Sequence, residues 1–221
     1  MSRQARPSDK KELQKREAIG IIRASRFVRK YAHSRKEINV ETIKKIHKEI
    51  FNDAWHEIAG EYRKEDLRIS DSKHLPPHFS KVPNLMSDVD SELQKKLGKL
   101  GIADGILHDG DQSVEKMLKT IESVVTVAAW VHHKITYIHP FREGNGRTAR
   151  LTANLVLERF GLMGISVKVE KENKNRYRKA LSQIDAAGDY EPLKDLIYEG
   201  LEERFDGVAV KYYNIRDDNK K

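Results

Sequence analysis

Apolar residues recur every three or four positions along most of this 221-residue chain, and strict alternation of apolar and polar residues is confined to short pieces. Such spacing gives a helix one apolar face, so the pattern predicts a mostly α-helical fold. The clearest stretch begins at Ser113 and runs to Ile135, and it predicts a long, nearly buried helix. Six further helices are predicted over residues 18–31, 40–51 with Asn39 as the cap, 87–100, 147–160, 173–187 and 191–204.

Residues 52–86 interrupt the helical pattern, because Gly60, the adjacent Pro76 and Pro77, and Pro83 disfavour a continuous helix. Within this stretch, residues 66–70 and 77–82 are predicted to form a small β-hairpin, and no other β-structure is supported by the pattern. The predicted fold is therefore mostly α with one small hairpin.

The composition excludes several kinds of chemistry. The chain contains no cysteine, which excludes disulfide bonds, thiolate metal sites and a catalytic cysteine. No apolar run approaches the roughly 20 residues that span a bilayer, and the beginning of the sequence lacks the apolar core of a secretory signal. We therefore expect no membrane association and a cytoplasmic protein, acting in the producing cell or after delivery into a recipient cell.

The formal net charge of +8 is concentrated in residues 1–36, which hold twelve Lys and Arg against three Asp and Glu. Of the 42 basic and 34 acidic residues in the chain, 30 and 31 remain for residues 37–221, which are almost neutral. A basic helical segment is typical of a solvated face or of an arm that binds an acidic partner. Nucleic-acid binding is not favoured, because zinc-finger spacing, RNA-binding aromatic motifs and Gly-Lys phosphate loops are missing from the sequence.

The sequence HPFREGNGRTAR, residues 139–150, brings several kinds of polar group together. Its Gly144, Asn145 and Gly146 directly precede a predicted helix, so their backbone N–H groups lie at a helix N-terminus, where anions bind. Glycine also allows the backbone conformations that an anion-binding nest requires. Taken alone, the same three residues are more typical of a turn that caps a helix.

The neighbouring charges favour phosphate binding over a simple cap. Arg147 and Arg150 share a face of the first helical turn, where a bound polyphosphate would relieve their unfavourable interaction with the positive helix end. Glu143 would be repelled by a phosphate unless a divalent cation such as Mg²⁺ lay between them. His139 can serve as a general base near neutral pH.

Each of these residues also has a simpler interpretation. A solvent-exposed Glu143 and a His139 that merely ends a helix are both common, and only the joint spacing favours chemistry. A zinc site formed by His132, His133 and His139 is not favoured, because no cysteine or acidic partner lies at ligand spacing. We expect His132 and His133 to be ordinary helix residues, one buried and one exposed, and Phe141 to anchor the loop in the core.

The motif as a whole resembles the signature of the Fic family, H-x-F-x-[D/E]-G-N-G-R-x-x-R, and meets it at every defined position. The resemblance extends to residues 46–63, which are similar to the family's upstream helix, and to residues 176–193, which are similar to its downstream helix. We therefore expect a Fic domain over residues 38–204. A basic helical extension over residues 1–37 would precede it, and a C-terminal tail over residues 205–221 would follow.

The resemblance implies a Mg²⁺-dependent adenylyltransferase that transfers AMP from ATP to a hydroxyl side chain of a target protein and releases pyrophosphate. His139 would then deprotonate the target hydroxyl, and Glu143 would hold Mg²⁺ against the α- and β-phosphates. Asn145 would add a side-chain contact to the α-phosphate. The anion hole would be formed by Gly144, Asn145 and Gly146. The β- and γ-phosphates would be held by Arg147 and Arg150.

Three further expectations depend on the resemblance. The hairpin region, residues 63–82, resembles the family's flap, which takes the target protein as an added strand. Tyr177 is expected near the adenine, and a plain core tyrosine is an equal alternative. Gly146 stands where the Doc branch of the family carries lysine, which favours nucleotidyl transfer over Doc-like phosphorylation.

Many family members are restrained by an inhibitory helix with the pattern [S/T]-x-x-x-E-[G/N], whose glutamate engages the second motif arginine. Two near matches occur: Ser8 with Glu12 lacks the final Gly or Asn, and Glu199 with Gly200 lacks the initial Ser or Thr. We expect inhibition by a separate small antitoxin or by an element that this chain lacks, and less so by a near match. An acidic antitoxin would dock on residues 1–36, and both a toxin and an effector role are compatible with this expectation.

Two other functions remain compatible with the sequence. The same fold could transfer another nucleotide or a phosphoryl group, because the motif contacts phosphates rather than bases. A Fic-like scaffold could bind a partner without chemistry, although an intact His139 and Glu143 have no use in a pure scaffold.

Overall fold

The structure, a computed structural model, describes residues 6–34, 36–70, 72, 74–100, 113–165 and 172–217, with side chains as far as residue 204. The described helices confirm the mostly α-helical fold predicted from the apolar spacing. They are α1 (Lys10–Ala32), α2 (Val40–Phe51), α3 (Val82–Leu100), α4 (Val114–Ile138), α5 (Asn145–Arg159), α6 (Glu172–Ala187) and α7 (Glu191–Asp217). Two short 3₁₀ turns cover His56–Ile58 and Phe79–Lys81.

The chain forms two compact units, Met1–Leu162 and Met163–Lys221. The first unit contains helices α1 to α5 and the whole of the motif at residues 139–150. In the second unit α6 and α7 pack together, and Arg176 on α6 donates two hydrogen bonds, of 2.9 and 2.5 Å, to the Glu199 carboxylate on α7.

Helix α4 forms the centre of the first unit and packs against α3 and α5. Ser113 caps its beginning by accepting a hydrogen bond from the backbone N–H of Lys116, which agrees with the predicted start. Most side chains from residue 120 onward are buried, as the pattern predicted. The expectation that only one of His132 and His133 is buried was wrong, because neighbouring helices cover α4 on more than one face and both imidazoles are buried.

Helix α1 packs closely against α2. A Cβ added to Gly20 would lie 1.9 Å from the carbonyl oxygen of Ile50, so the two helix backbones touch at this glycine. Asp9 caps α1 by accepting two backbone hydrogen bonds, which is why the helix begins at Lys10 rather than at the predicted residue 18. The buried residues of α1 are all small or β-branched and recur every fourth position: Gly20, Ala24, Val28 and Ala32.

The predicted β-hairpin was wrong, since no strand forms in the part of the chain that the structure describes. Most of its second half becomes the 3₁₀ turn Phe79–Lys81 and the first residue of α3. Pro76 and Pro77 have no backbone N–H to donate to a strand ladder, and the Pro77 carbonyl accepts a hydrogen bond from the Arg63 side chain instead. Side-chain contacts therefore take the place of strand pairing in this segment.

Several helix boundaries differ from the predicted ones. Helix α3 begins at Val82 rather than at residue 87, because Pro83 falls in the first turn, where a helix needs no N–H from it. The predicted cap of α2 is confirmed, since Asn39 accepts a hydrogen bond of 3.0 Å from the N–H of Thr42. Helix α7 continues to Asp217 instead of ending at Arg204, and residues 218–221 of the predicted tail lie outside the described residues.

Candidate active site

His139 ends α4 in a left-handed backbone conformation, with φ 53° and ψ 56°. Among the described residues it is the one non-glycine residue with a positive φ, a conformation that is rare and often functional. Its Nδ1 lies 3.3 Å from the carbonyl oxygen of Thr136. Because a carbonyl can only accept, this hydrogen bond requires the proton on Nδ1 and leaves Nε2 with a free lone pair. Burial lowers the pKa of His139, so the imidazole is neutral at physiological pH.

The loop after His139 is held by the side chain of Asn145. Its Oδ1 accepts a hydrogen bond of 2.8 Å from the N–H of Phe141, and its Nδ2 donates one of 2.7 Å to the Phe141 carbonyl. Both residues are buried, and the Phe141 ring is fully so, as expected for an anchor. The Asn145 amide therefore fixes the loop between the candidate base and the start of α5.

Gly144 precedes α5 with φ 76° and has no side chain to cap the helix, and its own N–H donates a hydrogen bond of 2.8 Å to the Glu143 carboxylate. A Cβ at Gly144 would lie 2.3 Å from the Phe51 ring, and one at Gly146 would lie 3.4 Å from Nη1 of Arg150. Gly144 therefore cannot carry a larger residue without rearrangement, whereas the contact at Gly146 is an ordinary van der Waals distance to a flexible side chain. Backbone N–H groups in the first turn of a helix have no partner within the helix, and anion binding by those of α5 stays a prediction.

The two motif arginines both lie in the first turns of α5. The Arg147 guanidinium donates a hydrogen bond of 2.8 Å to Glu17 on α1 and lies 3.4 Å from the Glu143 carboxylate. Its cationic carbon lies 4.9 Å from the centroid of the Phe51 ring. Arg150 lies one turn further on with a partly exposed side chain. Arg147 is thus bonded to carboxylates of the protein, and phosphate binding by Arg147 and Arg150 stays a prediction.

His47 on α2 supports the motif from below, and the sequence did not identify it as part of the site. Its Nδ1 accepts a hydrogen bond of 2.9 Å from the N–H of Gly60, so the proton is on Nε2, which donates to the Glu143 carbonyl at 3.0 Å. Its ring stacks on Phe141 at 3.9 Å between centroids. Burial lowers the pKa of His47 to about 4, which keeps it neutral. A histidine on the apolar face of α2 was the available signal.

Arg63 is a second residue that the sequence did not identify. Its backbone N–H donates to the Pro140 carbonyl at 2.9 Å, and its Nε donates to the His139 carbonyl at 2.9 Å. Its two terminal nitrogens donate to the carbonyls of Glu65 and Pro77. This guanidinium is buried and joins both ends of the segment between residues 65 and 77 to the backbone of the candidate base.

A second contact ties the same segment to the end of α4. His74 lies with Nε2 2.8 Å from the Tyr137 carbonyl, and its ring lies 4.5 Å from the Tyr137 ring. Next to it Leu75 is one of the most exposed large apolar side chains of the described residues, at 69%. Arg63 and His74 therefore attach this segment to the end of α4, and its described residues form no strand.

The other residues singled out in the sequence lie as follows. Glu12 forms an ion pair of 2.8 Å with Arg16 on its own helix, and Glu199 is paired with Arg176 within the second unit. Tyr177 is a buried residue of the second unit, which agrees with a core tyrosine, and a contact with adenine stays a prediction.

The acidic and imidazole groups do not form a metal site of their own. Among the described residues, no three His, Asp or Glu side chains gather as ligands for a cation. The Glu143 side chain, at the start of α5, is 55% exposed. Magnesium fits such a position only when phosphate oxygens and water complete its shell, as Mg²⁺ usually binds in nucleotide sites.

No helix in the described ranges is long and apolar enough to cross a membrane.

Fold and site together define a class of protein: a helical domain in which a buried, neutral histidine ends one helix shortly before a glycine that begins the next. A model of the Fic/DOC family matches residues 37–157, and the chain belongs to that family. The chain is 29% identical over 199 residues to "Protein adenylyltransferase Fic" of Nematostella vectensis, covering 90% of this chain and 40% of that protein. The corresponding protein of Aedes aegypti is 27% identical over 191 residues, covering 86% and 33%. The chain thus spans less than half the length of these relatives.

Solved structures share the fold. A fragment of Fic-1 from C. elegans superposes with a TM-score of 0.67 at 23% identity, covering 95% of this chain and 56% of that one. The BepC protein of Bartonella tribocorum, a VirB-translocated effector solved with bound AMPPNP, gives a TM-score of 0.60 at 17% identity and 88% coverage of both chains. At these identities the likeness establishes the fold alone.

Proposed function

We propose that this protein transfers AMP from ATP to a serine, threonine or tyrosine hydroxyl of a target protein and releases pyrophosphate. One observation carries the proposal: a neutral His139 and the start of α5 at Gly144 lie at the two ends of one short loop, which the Asn145 side chain holds in place. A base and an anion-binding nest at this separation are what nucleotidyl transfer needs. The names of the relatives support the same reaction.

In this mechanism His139 acts through Nε2. That nitrogen takes the proton of the target hydroxyl while the hydroxyl oxygen forms a bond to the α-phosphorus of ATP. The bond between the α-phosphorus and the bridging oxygen to the β-phosphate breaks, and pyrophosphate leaves. The hydrogen bond to Thr136 orients the ring, and the lowered pKa of His139 keeps Nε2 unprotonated at neutral pH.

The phosphates bind at the start of α5. The backbone N–H groups of Asn145 and Gly146, in the first turn of this helix, would donate to the phosphates, and the positive end of the helix dipole would favour their charge. The Asn145 side chain is bonded to Phe141, so we assign it mainly to loop bracing, with its remaining amide hydrogen directed to the α-phosphate. Arg150 is our proposed contact to the leaving pyrophosphate. Tyr177 remains the proposed neighbour of the adenine.

Glu143 is our proposed magnesium ligand. Bound Mg²⁺ would neutralise phosphate charge as pyrophosphate leaves. Glu143 fits this role because its carboxylate is exposed at the nest and is turned toward the loop by a hydrogen bond of 2.8 Å from the N–H of Gly144. Two structural neighbours support a nucleotide co-substrate, since one contains AMPPNP and another contains ADP.

The target protein would bind beside residues 63–82. Support comes from the exposed Leu75 and from the attachment of this segment to the backbone of His139 through Arg63.

The basic residues 1–36 remain our proposed contact for a small acidic antitoxin. We propose that the protein acts in the cytoplasm of the producing cell or of a recipient cell, and delivery into a recipient cell is supported by structural neighbours that are VirB-translocated effectors.

The proposal is tested by incubating the full chain with Mg²⁺, a cell lysate and ATP labelled at the α-phosphate. We expect labelled protein bands with the wild type and their loss, by at least about a hundredfold, with His139→Ala, because the general base is removed. His33→Ala is the matched control, since His33 lies at the end of α1 and bonds to Arg29. Mass spectrometry of a labelled band then identifies the modified hydroxyl.

The position of the label separates the alternatives. Label from the γ-phosphate of ATP on protein would indicate phosphoryl transfer, and label from another α-labelled nucleotide alone would indicate a different donor. If His139→Ala labels the lysate as strongly as the wild type, the assigned base is wrong. Absence of label under all these conditions, in a protein that still pulls down a partner, would favour the scaffold.

A further inference from the structure

Glu17 connects the N-terminal helix to the motif. Its Oε2 accepts a hydrogen bond of 2.8 Å from Nη1 of Arg147, across 130 residues of sequence. Both side chains are about four-fifths buried, with exposed fractions of 20% and 21%. Partial burial makes such a pair stronger than an ordinary surface ion pair. The fixed donor fork of the guanidinium then defines where Arg147 lies.

A second carboxylate competes for the same guanidinium. Nη2 of Arg147 lies 3.4 Å from Oε1 of Glu143, a longer contact than the one to Glu17. The same Oε1 accepts the N–H of Gly144, and the Glu143 side chain is 55% exposed. Arg147 therefore stands between two acids, and in this structure it is bonded more closely to the one outside the motif.

We propose that Glu17 is a positioning residue of the phosphate site: it holds the Arg147 guanidinium against α1 and so leaves the Glu143 carboxylate available to a divalent cation. This inference rests on the proposed function, in which Glu143 holds Mg²⁺. It assigns Arg147 to the support of the site and leaves the phosphate contact to Arg150. It also explains why an acidic residue lies within an otherwise strongly basic helix.

Without Glu17, the Arg147 guanidinium would pair with Glu143. The Phe51 ring beneath the guanidinium holds it near the motif, where the next carboxylate is Glu143. An arginine and a carboxylate form two parallel hydrogen bonds when nothing else engages the arginine. Such a pair would use the oxygens that a cation needs, so Mg²⁺ would have to displace Arg147 before it could bind.

The test measures ATP binding by calorimetry at a series of Mg²⁺ concentrations, with Glu17→Gln and the wild type. We expect the Mg²⁺ concentration for half-maximal binding to rise roughly three- to tenfold in Glu17→Gln, the size expected for rearranging one partly exposed charged contact. Binding at saturating Mg²⁺ should be nearly unchanged. Glu12→Gln is the matched control, because Glu12 pairs with Arg16 on the same helix, and its curve should follow the wild type.

A second background tests the role of Arg147. In an Arg147→Gln protein the competing cation is gone, so adding Glu17→Gln should not change the Mg²⁺ dependence further. Thermal unfolding of each variant, at a saturating and at a zero Mg²⁺ concentration, separates a binding effect from a loss of folding. A shift that persists unchanged in the Arg147→Gln background would overturn the inference.

Two other results would also decide the matter. Identical Mg²⁺ curves for Glu17→Gln and the wild type would show that Glu17 does not position the site. Tighter ATP binding by Glu17→Gln at every Mg²⁺ concentration would overturn the inference as well, since Glu17 would then compete with the phosphates for Arg147. If the wild type itself binds no ATP with or without Mg²⁺, the proposed function fails first, and this result is distinct from the other two.

Discussion

The backbone of His139 is strained, and its neighbours hold it in that conformation. A left-handed conformation costs a non-glycine residue roughly 1–3 kcal/mol. The N–H of His139 continues the helical bonding to Ile135, and its carbonyl accepts from the buried Arg63. The Nδ1 contact to Thr136 then fixes the ring. Together these bonds hold the backbone and the ring of His139 in place at the end of α4.

The charge of Arg63 should influence the titration of His139. In Arg63→Gln the positive charge beside the imidazolium is removed, so the pKa of His139 should rise from its lowered value toward about 6.5. A proton titration of the histidine ring signals by NMR measures this change, with His139→Ala to assign the signal. The base would then be protonated at a higher pH, and AMP transfer should begin to fall at a correspondingly higher pH.

The control for this experiment is Arg23→Gln, because Arg23 pairs with Asp53, on the turn after α2. Its His139 signal should titrate as in the wild type. An unchanged titration in a folded Arg63→Gln protein would mean that burial alone lowers the pKa of His139. Thermal unfolding should also show a loss of stability in Arg63→Gln, since several carbonyls lose a buried donor.

The sequence identifies the residues of the motif, but it does not identify the residues from other helices and loops that hold the motif in place. The motif is contiguous, so its spacing carries the chemistry of a base, a nest and two cations. Glu17, His47 and Arg63 reach the motif from 130, 96 and 76 residues away. Their contacts depend on which faces of separate helices meet, and hydrophobic spacing predicts a buried face without naming the partner that covers it. Each of them is a polar residue whose contact with the motif can be recognised only in the folded structure.

At the scale of elements, the distance between α1 and α2 positions Glu17. Glu17 lies one turn before Gly20, where the α1 backbone touches the carbonyl of Ile50. Phe51, the next residue of α2, is fully buried and lies beneath Arg147. The close helix crossing therefore brings both the acid and the aromatic ring to the same guanidinium.

Gly20→Ala should destabilise the protein, although alanine is the better helix residue. Alanine would gain up to about 1 kcal/mol of helix propensity, whereas its Cβ would overlap the Ile50 carbonyl and force the helices apart, at a cost of about 1–3 kcal/mol or more. Urea unfolding measures the net change. The same experiment on Gly98→Ala is the control, because an added Cβ there meets nothing within 4 Å, and its stability should rise.

An equal gain in stability for both glycine variants would contradict the close crossing of α1 and α2. The ATP titration adds a second readout for Gly20→Ala. If the helices move apart, the Glu17 carboxylate moves away from Arg147, and the Mg²⁺ dependence should shift in the same direction as in Glu17→Gln. Gly98→Ala should leave it unchanged.

Elements built on periodic apolar spacing were predicted well, and the segment without that spacing was not. The long helix from Ser113 and the Asn39 cap could be predicted because both depend on residues close together in the sequence. A cap depends on one side chain and the next three residues, and a buried face depends on apolar residues three or four positions apart. The hairpin prediction used turn residues and short alternation in residues 66–82. The buried Arg63 bonds the carbonyls of this segment directly, a tertiary contact that overrides weak strand propensity.

At the scale of the whole molecule, the first unit places a polar site on a fully packed core. Helix α4 runs through this core and ends at the candidate base, while α5 begins at the nest and packs back on α4. The buried His132 lies between them, and it is influenced by Arg150 on α5 and by the adjacent His133. Because protonation of His132 is unfavourable in this buried position, the free energy of unfolding of the first unit should depend on pH.

The stability of the protein should therefore fall in mild acid. Burial, followed by the nearby Arg150, lowers the pKa of His132 to about 3, whereas the unfolded chain titrates near 6.5. Its contribution is present above pH 6.5 and is lost as the pH falls toward 3, because only the unfolded state takes up the proton in that window. At pH 5 the loss from this residue is about 2 kcal/mol relative to pH 8.

Urea unfolding at pH 8, 6.5, 5.5 and 5 measures this loss, with His132→Gln as the variant that cannot titrate. Glutamine keeps a polar side chain of similar length, so its unfolding free energy should depend less steeply on pH than that of the wild type. Part of the dependence should remain, because other partly or fully buried histidines titrate as well. His33→Ala is the control, since His33 is exposed and should leave the wild-type slope intact. An equal slope in His132→Gln and the wild type would mean that the folded protein admits a proton, or water, to the core around His132.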